Sequence, residues 1–253
     1  MAEPDTELSW LTARADPEDV TGYDAGGWEA STWVLHAMYE NPGLPQDVTH
    51  DELHLSRLAR GLVQPLIIGG LNLDDATTVT GIPLGFVPRP GSPWRRLRWS
   101  DYAARAGRVI GAGQPGPPGQ HWFPSGSWPA SIYPPPEGSL DEVSLDTLLH
   151  VLADHSADGA DTACYAFYAP VATSDFNHPT LLTGPLRAVR DLVEGERPPW
   201  LRVQSTPSNF WPHDRSWFAW TDWDLWGTKI SGSTGIIDAI QAAPELETVL
   251  WAR

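Results

Sequence analysis

The sequence predicts an α+β protein, a mixed or antiparallel sheet with helices packed on it. Three observations predict this. First, Thr162 to Ala169 and Ser216 to Asp222 are rich in aromatic and small apolar residues, contain no Gly or Pro, and read as strands. Second, Leu145, Leu148, Leu149 and Leu152 recur at the spacing of one helix face. Third, a strand, a small-residue turn and a helix follow one another twice. Leu181-Leu182-Thr183-Gly184-Pro185 leads into Leu186, Val189, Leu192 and Val193, and Ser231-Gly232-Ser233 leads into Ile236, Ile237 and Ile240. The two stretches lie 48 residues apart. They read either as a duplicated strand-strand-helix unit in the C-terminal half or as the common placing of small residues before helices.

At 253 residues the chain is long enough for a real core. It divides into an N-terminal α+β region (1–110), a Pro/Gly/aromatic-rich connector (111–138) and a C-terminal α+β domain (139–253), which can also pack as one domain. Acids outnumber bases 32 to 16, a formal charge of −16. That argues against a nucleic-acid backbone or an anionic membrane as partner. It suits a soluble protein, or one that captures a basic protein. The single cysteine, Cys164, excludes an intrachain disulfide and reads as a buried, inert thiol. The first residues are acidic and lack an apolar signal segment, and no apolar run approaches the ~20 residues of a spanning helix. A cytoplasmic location is the expectation.

Along the chain, residues 1–20 read as a loose lead-in around Trp10. Ser31 to Tyr39 favours a strand, with His36 as a packed histidine. Thr49 to Glu52 opens a helix with a capping box, Thr49 as N-cap and Glu52 three residues on. Leu55, Leu58, Ala59 and Leu62 form its apolar stripe. His50 and His54 share a helix face, so they are the one pair that could begin a metal site, with His121 and His178 as the available further ligands; no metal is expected. Residues 69–93 read as strands and turns, with Asp74-Asp75 in a turn. Trp94 to Trp99 is the one basic cluster. It is either an arginine fork for a carboxylate or phosphate, or a surface that balances nearby acids. Ser100 is placed to cap a short helix. In the connector, Trp122, Phe123, Trp128 and Tyr133 are too aromatic for a free linker and should tuck against the domains. Ser139 to Glu142 reads as a second capping box. His150 and His155 lie off the leucine stripe, and Glu247 to Trp251 adds a last strand.

The most concentrated chemistry lies from Phe210 to Gly232, which holds Trp211, Trp217, Trp220, Trp223 and Trp226 among charged residues. Pro212 to Arg215 reads as a turn. In the strand that follows, Trp217, Ala219 and Thr221 should face one way, and Phe218, Trp220 and Asp222 the other. Asp222, Asp224 and His213 are the candidate catalytic groups, with Asp214 placed to orient the imidazole. Trp211, Trp220, Trp223, Trp226, Arg215 and Lys229 are the candidate ligand-binding residues. The stretch has no nucleophile elbow, and the chain has no Walker-type or dinucleotide loop.

NFWPHDRSWFAWTDWDLWGTKISGS resembles the C-terminal signature of a family of actinobacterial proteins with no assigned activity. In that family a Trp-Trp-Pro-x-Asp-Arg-x-Trp segment precedes a Thr-x-x-Asp strand and a Gly-Gly-Ser turn. The likeness includes PPPEGSLDEVSLDTLLHVLADHS, the LLTGP turn, GGWEASTWVLHAM and RWSDYAARAGR, roughly half of the chain. Here Phe210-Trp211 and Ser231-Gly232 replace the paired tryptophans and glycines. The resemblance implies a single mixed architecture and an intracellular bacterial origin, and it brings no cofactor, partner or site residue.

Two functions fit the residues. One is an acidic binding or inhibitory protein, immunity-like, that captures a basic protein partner through tryptophan anchors and electrostatic steering. The other is an enzyme or small-molecule binder in which Trp211, Trp220, Trp223 and Trp226 wall a pocket for a planar or sugar-like ligand beside Asp222, Asp224 and His213. The second requires those side chains to converge in one concavity.

Overall fold

The period-two segments pair with one another. The computed structural model describes residues 4–13, 22–65, 67–68, 71–72, 85–111, 127–177 and 179–251. Among these the strands are β1 (Ala30–Leu35), β2 (Met38–Glu40), β3 (Ile67–Ile68), β4 (Leu71–Asn72), β5 (Arg95–Leu97), β6 (Ile132–Tyr133), β7 (Ala163–Tyr168), β8 (Thr180–Pro185), β9 (Asn209–Pro212), β10 (Trp217–Thr221), β11 (Gly227–Gly232) and β12 (Thr248–Val249). The helices are α1 (Pro4–Thr12), α2 (His50–Ala59), α3 (Trp99–Arg105), α4 (Glu142–Asp154), α5 (Ala188–Glu194) and α6 (Thr234–Ala242).

The fold is α+β, as the sequence predicts. Seven strands form an antiparallel sheet in the order β12-β1-β11-β10-β9-β7-β8. A smaller sheet has the order β5-β2-β6. β1 pairs with β11 along its whole length, so strands from before and after the connector share one sheet. Each predicted strand-strand-helix stretch is a hairpin followed by a helix: β7, β8 and α5, then β10, β11 and α6.

Alternation sorts the large sheet's side chains onto two faces. Trp217 and Ala219 join Phe210, Ala166 and Ile230 under α4, α5 and α6, packed by Leu145, Leu148, Leu152, Val189, Val193, Ile236, Ile237 and Ile240. Phe218 turns the opposite way, with Trp211, Tyr165 and Phe167, and is covered by Leu11, Tyr23 and Ala25. Each such side chain contributes about 1.5–3 kcal/mol when fully buried. A further core joins the two sheets through Leu35, Met38, Leu97, Trp99, Trp128, Ile132 and Trp226. Trp128 is therefore core and Tyr133 is half-buried, whereas Trp122 and Phe123 lie outside the described residues. So do Asp74, Asp75, His121 and His178.

Several local expectations change. The lead-in contains α1, because Trp10 and Leu11 find Trp211 and Phe218 to pack on. The α2 capping box is present, but no residue of α2 is buried, and Leu55 (48%) and Leu62 (68%) are exposed. The α4 N-cap is Asp141, whose Oδ2 accepts from Ser144 N at 3.1 Å; Ser139 instead accepts from Thr206 N at 2.9 Å. Ser100 does not cap α3. The Glu247 carboxylate does so from far along the chain, accepting from Trp99 N (2.7 Å) and Ser100 N (2.9 Å). His36 is fully buried as expected, in the bend between β1 and β2.

Candidate functional site

The proposed catalytic trio is split by β10. His213 lies in the turn before this five-residue strand; Asp222 and Asp224 lie in the turn after it. At about 3.4 Å per residue the strand separates them by about 17 Å. Consecutive antiparallel hairpins place their turns at opposite ends of the strands, so these residues cannot share one reacting atom. Asp222 and His213 are also engaged locally. Asp222 Oδ1 accepts from Asp224 N at 2.8 Å, which closes the turn. The exposed His213 ring packs on Tyr165 with centroids 4.3 Å apart, and Nε2 lies 3.3 Å from Thr183 Oγ1. Asp214 does not orient it: its Oδ1 accepts from Ser216 N at 3.0 Å.

The four candidate tryptophans do not wall one pocket either. Trp211 is fully buried against Tyr165, Phe218 and Trp10. Trp226 is fully buried too, but in the core between the sheets, against Trp99 and Trp128. Trp220 is half-buried beside Trp33. Trp223 is half-buried over Gly138, whose φ of +68° and lack of a Cβ allow the contact; a Cβ there would stand 2.7 Å from the indole. The sequence presents these rings as one cluster; the pleat and turns keep Trp211 and Trp220 on one core and send Trp223 and Trp226 to two others.

Arg215 acts as a clamp. Its backbone is left-handed (φ +56°), its Nη2 donates to both Glu7 oxygens at 2.9 Å, and its guanidinium lies 4.5 Å from the Trp10 ring centre. This fastens α1 to the β9–β10 turn. Trp220 shares a core with Trp211, and it stands beside the candidate Lys229 as its cross-strand partner; Trp33 flanks Lys229 on the other side. Lys229 Nζ donates to both oxygens of Asp24 at 2.8 and 3.0 Å. Burial pushes its pKa down to about 8. Neither Glu7 nor Asp24 carries a sequence signal, because each is defined only by a partner about 200 residues away.

The remaining candidates are tied to the protein itself. His50 Nε2 donates to the Ile132 carbonyl at 2.7 Å. Among the described residues, no three His, Cys, Asp or Glu side chains are grouped to hold an ion. In the basic cluster, Arg95 approaches Glu40 at 3.9 Å and Arg98 donates to the Pro244 and Leu246 carbonyls. Cys164 is buried, and burial pushes its thiol up to about 12, with Asp214 adding to the effect.

A charged face emerges elsewhere. The three helices on the large sheet carry Glu142, Asp146, Asp154, Asp191, Glu194 and Asp238, against Arg190 as their one Lys or Arg residue. Arg190 is shared among Glu142 (3.3 Å), Asp146 (3.2 Å) and Glu194 (2.7 Å). Partial burial raises the Asp146 pKa; Arg190 opposes this and the neighbouring acids reinforce it. One guanidinium thus serves three carboxylates, and the face stays strongly negative. Helices alternate their faces, so the apolar stripes that dock on the sheet leave these carboxylates outward. Among the described residues, no helix is long and apolar enough to cross a membrane. In comparison with known proteins, no family model, no curated protein and no solved structure matches this chain.

Proposed function

We propose that the chain is an acidic binding protein that captures a partner with a basic surface, with the outer side of α4, α5 and α6 as its docking face. The observation that carries this reading is the six carboxylates of those helices against the single guanidinium of Arg190. Such a field raises the encounter rate with a cationic surface and rejects anionic ones. The helices are held by a continuous apolar core, so the charges are presented on a rigid support. Immunity-like inhibition of a basic toxin or enzyme is the form of capture that this face suits.

The test is retention on the immobilised chain followed by a salt gradient, with binding of the retained protein then measured by calorimetry. A basic protein eluted by salt should bind at least tenfold more weakly to an Asp146→Lys, Glu194→Lys, Asp238→Lys variant that folds normally. If no basic protein is retained, or the variant binds equally well, the reading fails.

A small-molecule reading keeps one specific support. Lys229 has a lowered pKa of about 8 and stands between Trp33 and Trp220 with Asp24 in contact. This arrangement does not use Asp222, Asp224 or His213.

A further inference from the structure

A cavity of about 220 Å³ opens beside the small sheet. Its wall combines Glu40 from β2, Gln46 from the following loop, Tyr102 and Arg105 from α3, and Ser131 and Ile132 at the start of β6. An engineered apolar cavity of about 150 Å³ holds benzene, so this volume admits a small organic molecule.

The polar groups are arranged with unequal exposure. The Glu40 side chain is only 5% exposed, and it holds Arg105 Nη1 at 2.5 Å. The Arg105 side chain is 52% exposed and belongs to the last turn of α3. Its guanidinium has access to solvent, whereas Glu40 cannot leave the wall, so Arg105 can move only when another cation takes its place on Glu40. Ser131 is 1% exposed, lines the cavity, and makes no side-chain hydrogen bond among the described residues. A hydroxyl on the cavity wall can donate to or accept from a ligand there. Gln46 adds an amide at the rim, while Tyr102 and Ile132 supply an apolar wall.

We propose that this cavity binds a small zwitterion of the α-amino acid type, its ammonium on Glu40 and Ser131 and its carboxylate on Arg105 and Gln46. The buried carboxylate and the half-exposed guanidinium are paired at the wall, and a ligand that carries both charges can insert between them and satisfy each without a net change in charge. An amine alone would displace Arg105 and leave its fork unfilled. A carboxylic acid alone would meet Glu40 with like charge. The apolar wall favours an aliphatic or aromatic side chain over a charged one. The site is built on different elements from the α4–α6 face and stands or falls independently of a protein partner.

The test is calorimetric titration of the full chain with aliphatic and aromatic L-amino acids, each beside the amine that lacks its carboxylate and the acid that lacks its ammonium. At least one amino acid should bind, with its amine and its acid at least tenfold weaker. Arg105→Gln lies at a half-exposed position and should fold normally while losing at least tenfold in affinity. Ser131→Ala should weaken binding severalfold with the melting temperature held. Absence of binding by every amino acid, equal binding of the amine alone, or wild-type affinity in Arg105→Gln would each overturn the proposal.

Discussion

Thr228 donates its hydroxyl to His36 Nε2 across 3.0 Å in the core of the protein. The direction is fixed by the other ring nitrogen, because Nδ1 lies 2.8 Å from the Pro136 carbonyl and must donate to it. Thr221 in turn donates to Thr228 at 2.8 Å. Every group is satisfied only when the imidazole is neutral. Burial drives its pKa from 6.5 down to about 4, against the pull of the Pro136 carbonyl and Asp141. The folded value lies below the unfolded one, so between these pH values the unfolded chain binds the extra proton. Stability is complete above pH 6.5 and is lost as pH falls toward 4, by about 3 kcal/mol over the window. Urea midpoints at pH 7, 5.5 and 4.5 check this. His36→Gln should flatten that part of the profile; an unchanged slope would remove His36 as its source.

His213→Ala and Asp222→Asn should act independently. With a whole strand between them, their effects on urea stability should add within about 0.5 kcal/mol. Any shared site would show as a larger coupling in the double mutant. Asp222→Ala alone should cost about 1 kcal/mol through the lost bond to Asp224 N.

Lys229 and Asp24 should respond asymmetrically. Lys229→Met replaces a buried ammonium by an apolar chain of similar shape and leaves Asp24, whose side chain is 23% exposed, to water. Its effect should lie within about 1 kcal/mol of neutral. Asp24→Ala strands the ammonium and should cost about 3 kcal/mol. Equal losses from the two substitutions would contradict this account.

Glu247→Gln should loosen α3. Losing the charge on the acceptor of the Trp99 and Ser100 amides should cost about 2 kcal/mol. Faster amide exchange confined to the first turn of α3 would identify the cause; faster exchange throughout the protein would point to global destabilisation instead.

These residues also mark what the sequence makes legible. The Thr49–Glu52 box and the alternation of β10 are local, set by neighbours three and two positions apart, and both form as read. The hairpin–helix succession is legible for the same reason. The second capping box, Ser139 to Glu142, does not form: Asp141 caps α4, and Ser139 is engaged by Thr206 from another segment. Likewise α1 forms where composition suggests a tail, because its stability comes from Trp211, Phe218 and Arg215 rather than from its own residues. The candidate site residues show the same limit. Adjacency in sequence brought His213, the tryptophans and the aspartates together, and strand geometry carried them apart.

The pairing of β1 with β11 bears on how the protein is made. Leu35 finds Gly227 only after about 190 further residues have been synthesised. At about 5–20 residues per second, β1 leaves the ribosome about 10–40 s before its partner exists. Throughout that interval Trp33, Val34 and Leu35 form an unpaired apolar strand on the nascent chain. Entry of β1 into the large sheet therefore waits on the synthesis of β11, and the yield of native protein should depend on chaperones that shield this early segment.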